Sequence, residues 1–502
     1  MRIVVVGAGM VGHRFASEAV RLRPDADVVL VGEEPYEPYN RVLLSELVAG
    51  RTDLAALTLP ATPGVEALRG VRAAGLDRAA RRLALDDGTT LAWDHLVLAT
   101  GARARTLPLP GLDTTDGPPV AGVHVLRSID DARAVVAGAL NADRACVVGA
   151  GAIGTEVACG LRRRGLEVTV LASRDGILDR DLDEHVAQVA GRTLADLGVR
   201  LVPRAGIRGI EVQDGHVAAA VLGDGTRVGT DLLVLATGSV PRTELAAQAG
   251  LTVRHGIVVD EDLRTSDPNV SAIGDCAETA DGVSGLVAPG WAQADALAAH
   301  LVRSTPVPML AVTGAAMRLK AVGLDVVTAG VRASTARPTD RVVALDDGGA
   351  RRFVEVVVRQ GTLVGMTCVG APDLAARLSV QLDRPGIAPP DPLQLLVGAP
   401  EEQAGSPTAM PSSTTVCRCN GVTKADVVSS WDDGCCTLDE VVAATRATTG
   451  CGGCRSLVCG LVDWLQEVDP PARPAPAPAP APSPTAISRP APQERETGVA
   501  AR

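Results

Sequence analysis

Aromatic side chains are scarce in this sequence: two Tyr, two Phe and four Trp in 502 residues. Its cores must therefore be built from Val, Leu and Ala, and the few rings become informative. Both tyrosines, Tyr36 and Tyr39, follow Glu33 and Glu34, and Trp291 lies in another segment of interest. Positive charge is also in short supply, with 48 Lys and Arg against 59 Asp and Glu and a net charge of −11. That balance excludes nucleic-acid partners, whose phosphates need a basic face. No apolar run approaches the ~20 residues that span a bilayer. Met1-Arg2 runs straight into an apolar segment with no charged, apolar and small-residue leader, so a cytoplasmic protein is expected. Paired cysteines are missing from the first 400 residues, where Cys146, Cys159, Cys276 and Cys368 stand singly; the other seven crowd between Cys417 and Cys459. Clustering of that kind favours metal ligation over secreted disulfides. The length is too great for one hydrophobic core, so several domains are expected.

What is present begins in the first forty residues. Ile3 to Val6 read as a buried parallel strand, Gly7-Ala8-Gly9-Met10-Val11-Gly12 as a tight turn, and His13 to Leu22 as a helix. A second strand, Val28 to Val31, ends in Gly32-Glu33-Glu34. This is a dinucleotide fingerprint in full context. Gly7, Gly9 and Gly12 let backbone N–H groups and a helix N-terminus reach a pyrophosphate, and an acid about 20 residues on accepts the ribose hydroxyls. The segment closes on the strand Leu96 to Ala99 with Thr100-Gly101 at its end, a pair small enough for backbone to pass close to a nucleotide.

Asn141 to Leu171 repeats the opening. Gly149, Gly151 and Gly154 form the second turn, and the strand Val168 to Leu171 ends in Ala172-Ser173-Arg174. Two fingerprints imply two dinucleotides. The acid that would hold a free ribose 2′-OH is missing from the second, and Arg174 can accommodate a 2′-phosphate, which favours NADP over NAD unless an acid comes from elsewhere. A second closing strand, Leu232 to Ala236, ends in Thr237-Gly238, and a short strand beyond it delivers Asp275 where open parallel sheets bind ligands.

The expected order is a first nucleotide-binding domain at 1–118 and 241–305, interrupted by a second at 119–240. From 306 to 385 the texture turns antiparallel, with a hairpin at Gln360-Gly361, a helix at Asp373 to Leu382 and no catalytic constellation, so this α+β domain reads as packing or interface, and as a surface for a possible homodimer. Residues 386–414 read as a linker, 415–468 as a compact unit, and 469–502 as a disordered Pro- and Ala-rich tail.

In the compact unit Cys417 and Cys419 form a CxC, and Cys451 and Cys454 a CxxC, with helices expected at Lys424 to Trp431 and Leu438 to Thr448. Four thiolates brought to one point fit a [2Fe–2S] cluster or a structural zinc. Zinc ribbons ordinarily use two CxxC knuckles, so the CxC favours iron and sulfur. Cys435, Cys436 and Cys459 read as buried small apolar residues.

With these segments assembled, residues 1 to about 385 resemble the flavoprotein part of the large subunit of assimilatory NAD(P)H nitrite reductase. The resemblance rests on Gly9-Met10-Val11-Gly12-His13-Arg14-Phe15, on Gly32-Glu33-Glu34 with Tyr39-Asn40-Arg41-Val42-Leu43-Leu44-Ser45, and on Leu286-Val287-Ala288-Pro289-Gly290. Residues 415–468 resemble the bacterioferritin-associated ferredoxin-like [2Fe–2S] domain that follows in that family. The resemblance implies an α/β fold with two Rossmann-like domains of the FAD/NAD(P)-linked reductase type, an α+β domain and a small helical [2Fe–2S] domain. It implies FAD on the first fingerprint, with Glu33 on the adenosine ribose, Arg41, Thr100 and Gly101 by the flavin nucleotide, Asp275 on the ribityl chain and Trp291 near the isoalloxazine. It implies NAD(P)H on the second, with Glu156 near flavin and nicotinamide. No cysteine follows Cys459, whereas that large subunit continues into sirohaem and [4Fe–4S] regions with further cysteines. The layout is closer to the electron-transfer subunit of assimilatory nitrate reductase, which serves a separate catalytic subunit.

Hydride transfer between stacked cofactors needs no protein acid or base, so no catalytic proton-transfer residue is expected. The lack of a CxxC in the flavoprotein part excludes the vicinal disulfide of a disulfide reductase. Electrons are expected to pass from NAD(P)H to FAD, to the cluster and to a nitrate or nitrite reductase partner, with the linker allowing the cluster unit to shuttle. Rival readings are a flavin and iron–sulfur subunit of an amino-acid or opine dehydrogenase, an FAD reductase with a structural zinc module, and an FAD protein that reduces oxygen or a ferredoxin.

Overall fold

The computed structural model describes residues 1–112, 120–303, 316–382, 388–397, 410–412, 414–417, 420–449 and 454–469. Two five-stranded parallel sheets dominate it, and each follows from one apolar pattern. Arg2–Val6 lies between Asp27–Gly32 and His95–Leu98, with Val65–Arg69 and Val270–Ala272 at the edges. Ile3, Val4 and Val5 are fully buried, as a strand covered on both faces requires. In the second sheet Arg144–Val148 lies between Glu167–Leu171 and Leu232–Leu235, flanked by Val199–Val202 and Val123–Val125. In both, the chain leaves the central strand into a helix, Met10–Leu22 or Ala152–Arg163, and a later strand returns on the other side. The carboxyl ends of the central strands therefore face a topological switch point, where such sheets take ligands.

Val270–Ala272 completes the first sheet although it follows the whole second sheet in the chain. The helix after it, Val287–Arg303, packs along Met10–Leu22, where Arg14 grips Asp295 with two hydrogen bonds of 2.7 and 3.0 Å.

An antiparallel sheet follows, ordered Met317–Ala321, Leu324–Gly330, Thr362–Val369, Arg352–Arg359 and Arg341–Asp347. The hairpin at Gln360-Gly361 is present, and both turn residues have positive φ, 49° and 78°, the combination a two-residue hairpin turn demands. The helix expected at Asp373 is Pro372–Leu382. The linker expected from 386 is narrower at its start: Ala388, Leu395 and Leu396 are buried against this sheet, the last two on the helix Leu393–Val397.

One apolar core joins the second parallel sheet to its neighbours. It holds Leu43, Leu44 and Val48 from the first domain, Val157 and Leu161 from Ala152–Arg163, and Met317 and Leu319 from the antiparallel sheet. Arg163 and Arg164 donate to the carbonyls of Ala49 and Val48, satisfying the end of the helix Leu44–Val48 across the domain border.

The cysteine unit has its own core of Val427, Trp431, Val441, Val458, Leu461, Val462 and Leu465. Met410 belongs to it, so the fold begins ahead of the expected residue 415. The expected helices are Lys424–Asp432 and Leu438–Thr445, the second stopped by Arg446 in the left-handed conformation. A third, Arg455–Val468, supplies Val458, Leu461, Val462 and Leu465 to the core. Cys435, Cys436 and Cys459, expected to be buried, are only half-buried. Among the described residues no helix is long and apolar enough to cross a membrane. The tail at 469–502 lies, beyond Asp469, outside the described residues.

Candidate functional site

The two glycine turns are built alike. Gly7 has φ of +118° and Gly149 +111°, and a Cβ on either would run into the carbonyl of the returning strand, at Ala99 and Ala236. Gly12 and Gly154 lie against the carbonyls of Gly7 and Gly149, so helix and strand touch backbone to backbone. The middle glycines differ. A Cβ on Gly9 would meet only Arg41 Nε, at 3.8 Å, and one on Gly151 would meet nothing within 4 Å. Neither helix start has a side-chain cap. Each turn thus presents uncapped N–H groups to open space, which fits the pyrophosphate of a dinucleotide.

Around the first turn the carboxyl ends of the strands carry a chain of charged contacts. Glu33 pairs with Arg242, and Glu34 with Arg41. Arg41 also donates to Tyr39 Oη at 2.8 Å and to the carbonyl of Arg127 at 3.2 Å. Tyr39 donates to Glu34 at 2.6 Å; burial first, then the neighbouring carboxylate, push its phenol above its ordinary range while Arg41 pulls it down. Arg127 continues the chain to Asp275 at 2.6 Å and to the carbonyl of Ala102 at 3.0 Å. Thr100 donates to the carbonyl of Arg242 at 2.7 Å, and Gly101 beside it has φ of +68°. The structure therefore brings Glu33, Arg41, Thr100, Gly101 and Asp275 to one end of the first sheet. Sequence reading missed Glu34, Arg127 and Arg242 as their partners. Glu34 stood beside Glu33 in plain view, whereas Arg127 and Arg242 belong to no motif.

At the second turn Ser173 and Arg174 are exposed at the end of Glu167–Leu171. Arg174 Nε is 3.0 Å from Asp179. The Arg204 N–H donates to the Arg174 carbonyl at 3.0 Å, and its side chain pairs with Asp175, so a second guanidinium flanks this strand end.

Glu156 follows the second turn but is closed off from water. Its Oε1 accepts from the backbone N–H of Lys320 at 2.8 Å and from Lys320 Nζ at 2.9 Å, and its Oε2 from the Ser45 hydroxyl. It ties all three domains together at their border.

Of the four expected metal ligands, Cys417 and Cys454 are described, and Cys419 and Cys451 lie outside the described residues. Cys417 is buried and Cys454 half-buried, both in the core of the cysteine unit. The Asn420 amide points at Cys417 Sγ from 3.8 Å. Both sit among apolar side chains, a setting that suits thiolate ligation of an iron–sulfur cluster. The loop bearing Cys417 rests on the first domain, where Gly421 lies against the indole of Trp291.

Residues 1–317 match the pyridine nucleotide-disulphide oxidoreductase family, and residues 415–464 the BFD-like [2Fe-2S] binding domain. The chain is 32% identical over 477 residues to the assimilatory nitrate reductase electron transfer subunit of Bacillus subtilis (strain 168), covering 92% of this chain and 60% of that protein. Identity to the nitrite reductase (NADH) large subunit of Escherichia coli (strain K12) is also 32% over 477 residues, covering 91% of this chain and 55% of that one. The chain thus spans somewhat over half the length of these relatives. Among solved structures, the ferredoxin reductase for the CYP199A2 system from Rhodopseudomonas palustris aligns with a TM-score of 0.68 at 28% identity, covering 77% of this chain and 96% of that one. With two open glycine turns at two switch points and cysteines held in a separate helical unit, the chain belongs to the pyridine nucleotide-disulphide oxidoreductase family, with FAD and NAD(P)H as its cofactors, and carries a BFD-like [2Fe-2S] binding domain.

Proposed function

We propose that this chain takes electrons from NAD(P)H and passes them through FAD and a [2Fe–2S] cluster to a separate nitrate or nitrite reductase subunit. The observation that carries the reading is the seat of the Cys417 loop on the domain of the first glycine turn, against Trp291. FAD supplies the conversion between a two-electron hydride donor and a one-electron acceptor. The chain's part is to bind, orient and exclude water. Gly7, Gly9 and Gly12 hold the FAD pyrophosphate, Glu33 the adenosine ribose, Arg41, Thr100 and Gly101 the flavin nucleotide and Asp275 the ribityl chain, with Trp291 beside the ring system. Gly149, Gly151 and Gly154 hold the NAD(P)H pyrophosphate, and Ser173 and Arg174 its adenosine end. Cys417, Cys419, Cys451 and Cys454 ligate the cluster.

This assignment divides the chain into an FAD-binding domain at 1–118 and 241–305, an NAD(P)H-binding domain at 119–240, an interface domain at 306–385 and a cluster domain at 415–468. It also makes the protein cytoplasmic, where its nucleotides are, and leaves the antiparallel sheet as a homodimer surface. The name of the Bacillus subtilis relative supports the external acceptor.

Anaerobic titration of the purified chain with NADH and with NADPH tests the reading. Bleaching of the flavin bands followed by a reduced [2Fe–2S] signal in low-temperature EPR is expected. Stoichiometric zinc with no cluster signal, or a flavin that neither nucleotide reduces, refutes it.

A further inference from the structure

Among the described residues, polar and apolar contacts hold the cysteine unit to the first domain, two of them at Asn420 and Gly421, just after Cys417. Asn40 Nδ2 donates to Asn420 Oδ1 at 2.7 Å, while Asn40 Oδ1 caps the turn at Val42 N from 3.0 Å. Asn420 Nδ2 lies 2.6 Å from the Arg446 carbonyl, 3.2 Å from Thr449 Oγ1 and 3.8 Å from Cys417 Sγ, so its two protons are shared among three acceptors. The next residue, Gly421, has φ of +65°, and a Cβ there would lie 2.7 Å from Trp291 Cζ3, so backbone packs flat on the indole. On the far rim Arg446 reaches the carbonyl of Ala56. Burial works against the charge on Arg14, the Asp295 contacts hold its guanidinium protonated, and the charge of Asp426 adds to them.

We infer that this contact is a built docking face through which the cysteine unit receives electrons while seated, with Asn420 as its positioning residue. The inference rests on the proposed electron relay and deepens it. Asn420 is the hinge of the argument because one amide touches both sides. Asn40 fixes its orientation, and that orientation aims an N–H at the sulfur of Cys417. Such hydrogen bonds stabilise the more negative, reduced cluster and raise its potential. The seat therefore does two things together: it shortens the path from the Trp291 side of the flavin site to the thiolates, and it favours the arriving electron. Each hydride brings two electrons and one proton, so each turnover passes two single electrons across the seat, with the one proton released to water and the acceptor reoxidising the cluster each time. The expected shuttling of the unit then serves delivery to the acceptor and is not needed for receipt.

Asn40→Asp tests this with little disturbance, because the carboxylate keeps the cap on Val42 N but cannot donate to Asn420. Asn420 cannot turn over to compensate without giving up Arg446 and Thr449. Arg446→Gln, on the other side of the seat, removes the reach to Ala56. In the full chain, hydrogen–deuterium exchange at residues 39–47 and 287–295 should rise about tenfold or more in either variant, with helices Lys424–Asp432 and Arg455–Val468 unchanged. In stopped flow, flavin reduction by NAD(P)H should stay within about twofold, while cluster reduction after it slows at least tenfold, and the cluster midpoint should fall in Asn40→Asp. Unchanged exchange or unchanged cluster reduction in both variants overturns the docking face. A parent chain without a reducible cluster overturns the relay instead, and the exchange measurement still reads the contact by itself.

Discussion

Lys320 and Glu156 form a buried ion pair at the meeting point of three domains, with side chains 8% and 4% exposed and Nζ 2.9 Å from Oε1. Glu156 stands in the first turns of the helix after the second glycine turn, Lys320 on the first strand of the antiparallel sheet, and Ser45 on the first domain closes the group. Removing one partner strands the other charge away from water. Lys320→Met should cost about 3–5 kcal/mol, whereas Lys320→Met with Glu156→Leu should cost clearly less, since no lone charge remains. Urea unfolding of the three proteins measures this; an additive double variant would show that the two groups do not depend on each other.

Gly151→Ala separates nucleotide binding from folding. Its backbone is extended, with φ of −75°, and the new methyl meets no protein atom, so stability should move by no more than about 0.5 kcal/mol. The methyl does enter the space of the pyrophosphate, and KM for NAD(P)H should rise at least tenfold with flavin content unchanged. Equal KM values for the variant and its parent would place the nucleotide elsewhere.

On the proposed assignment, Arg174 and Arg204 set the choice between the two nicotinamide nucleotides. With a 2′-phosphate between them, Arg174→Ala should lower kcat/KM for NADPH about tenfold or more and leave NADH within about twofold, since a charge-assisted hydrogen bond contributes about 1.5–3 kcal/mol. Equal losses with both nucleotides would mean that Arg174 contacts neither phosphate selectively.

Cys417→Ser replaces a buried thiol in the core of the cysteine unit. Flavin reduction by NAD(P)H should survive, while the cluster signal and delivery to a one-electron acceptor that draws on the cluster disappear. Delivery at the parent rate would show that electrons leave directly from the flavin.

His95 supplies a pH dependence. It is buried beside Ser271, 3.1 Å away, and burial, then Arg264 and His300, lower its pKa from 6.5 to about 4. The folded state holds the ring neutral, so between these values the unfolded chain binds more protons. Stability from this group is therefore complete above about pH 6.5 and is lost as pH falls towards 4, by at most ~3 kcal/mol. His95→Gln should remove that component: the urea midpoint should fall less between pH 7 and pH 4.5 than in the parent. The same fall in both proteins would assign the acid sensitivity to other groups.

Much of the fold was legible because its signals are local. The strand Ile3 to Val6, the turn from Gly7 to Gly12 and the repeat from Gly149 to Gly154 are legible from apolar runs and small residues at fixed spacing, and the hairpin at Gln360-Gly361 from turn chemistry. The helix Arg455–Val468 was equally open to reading, since Val458, Leu461, Val462 and Leu465 recur at helical spacing, but the paired cysteines beside it drew the eye. The helix Leu393–Val397 was hidden by the prolines and glycines around it; its burial depends on a sheet it could not announce.

The candidate site divides along the same line. By itself the sequence determined where two open glycine turns form and where the cysteines gather, because backbone conformation and residue spacing act over a few residues. Tertiary structure alone decided that Arg242 reaches Glu33 across 209 positions and that Asn40 meets Asn420 across 380. It also paired the buried Glu156 with Lys320 across 164 positions. Such contacts arise when separately folded surfaces close on one another, and nothing in the local pattern of either segment encodes which surface it will meet.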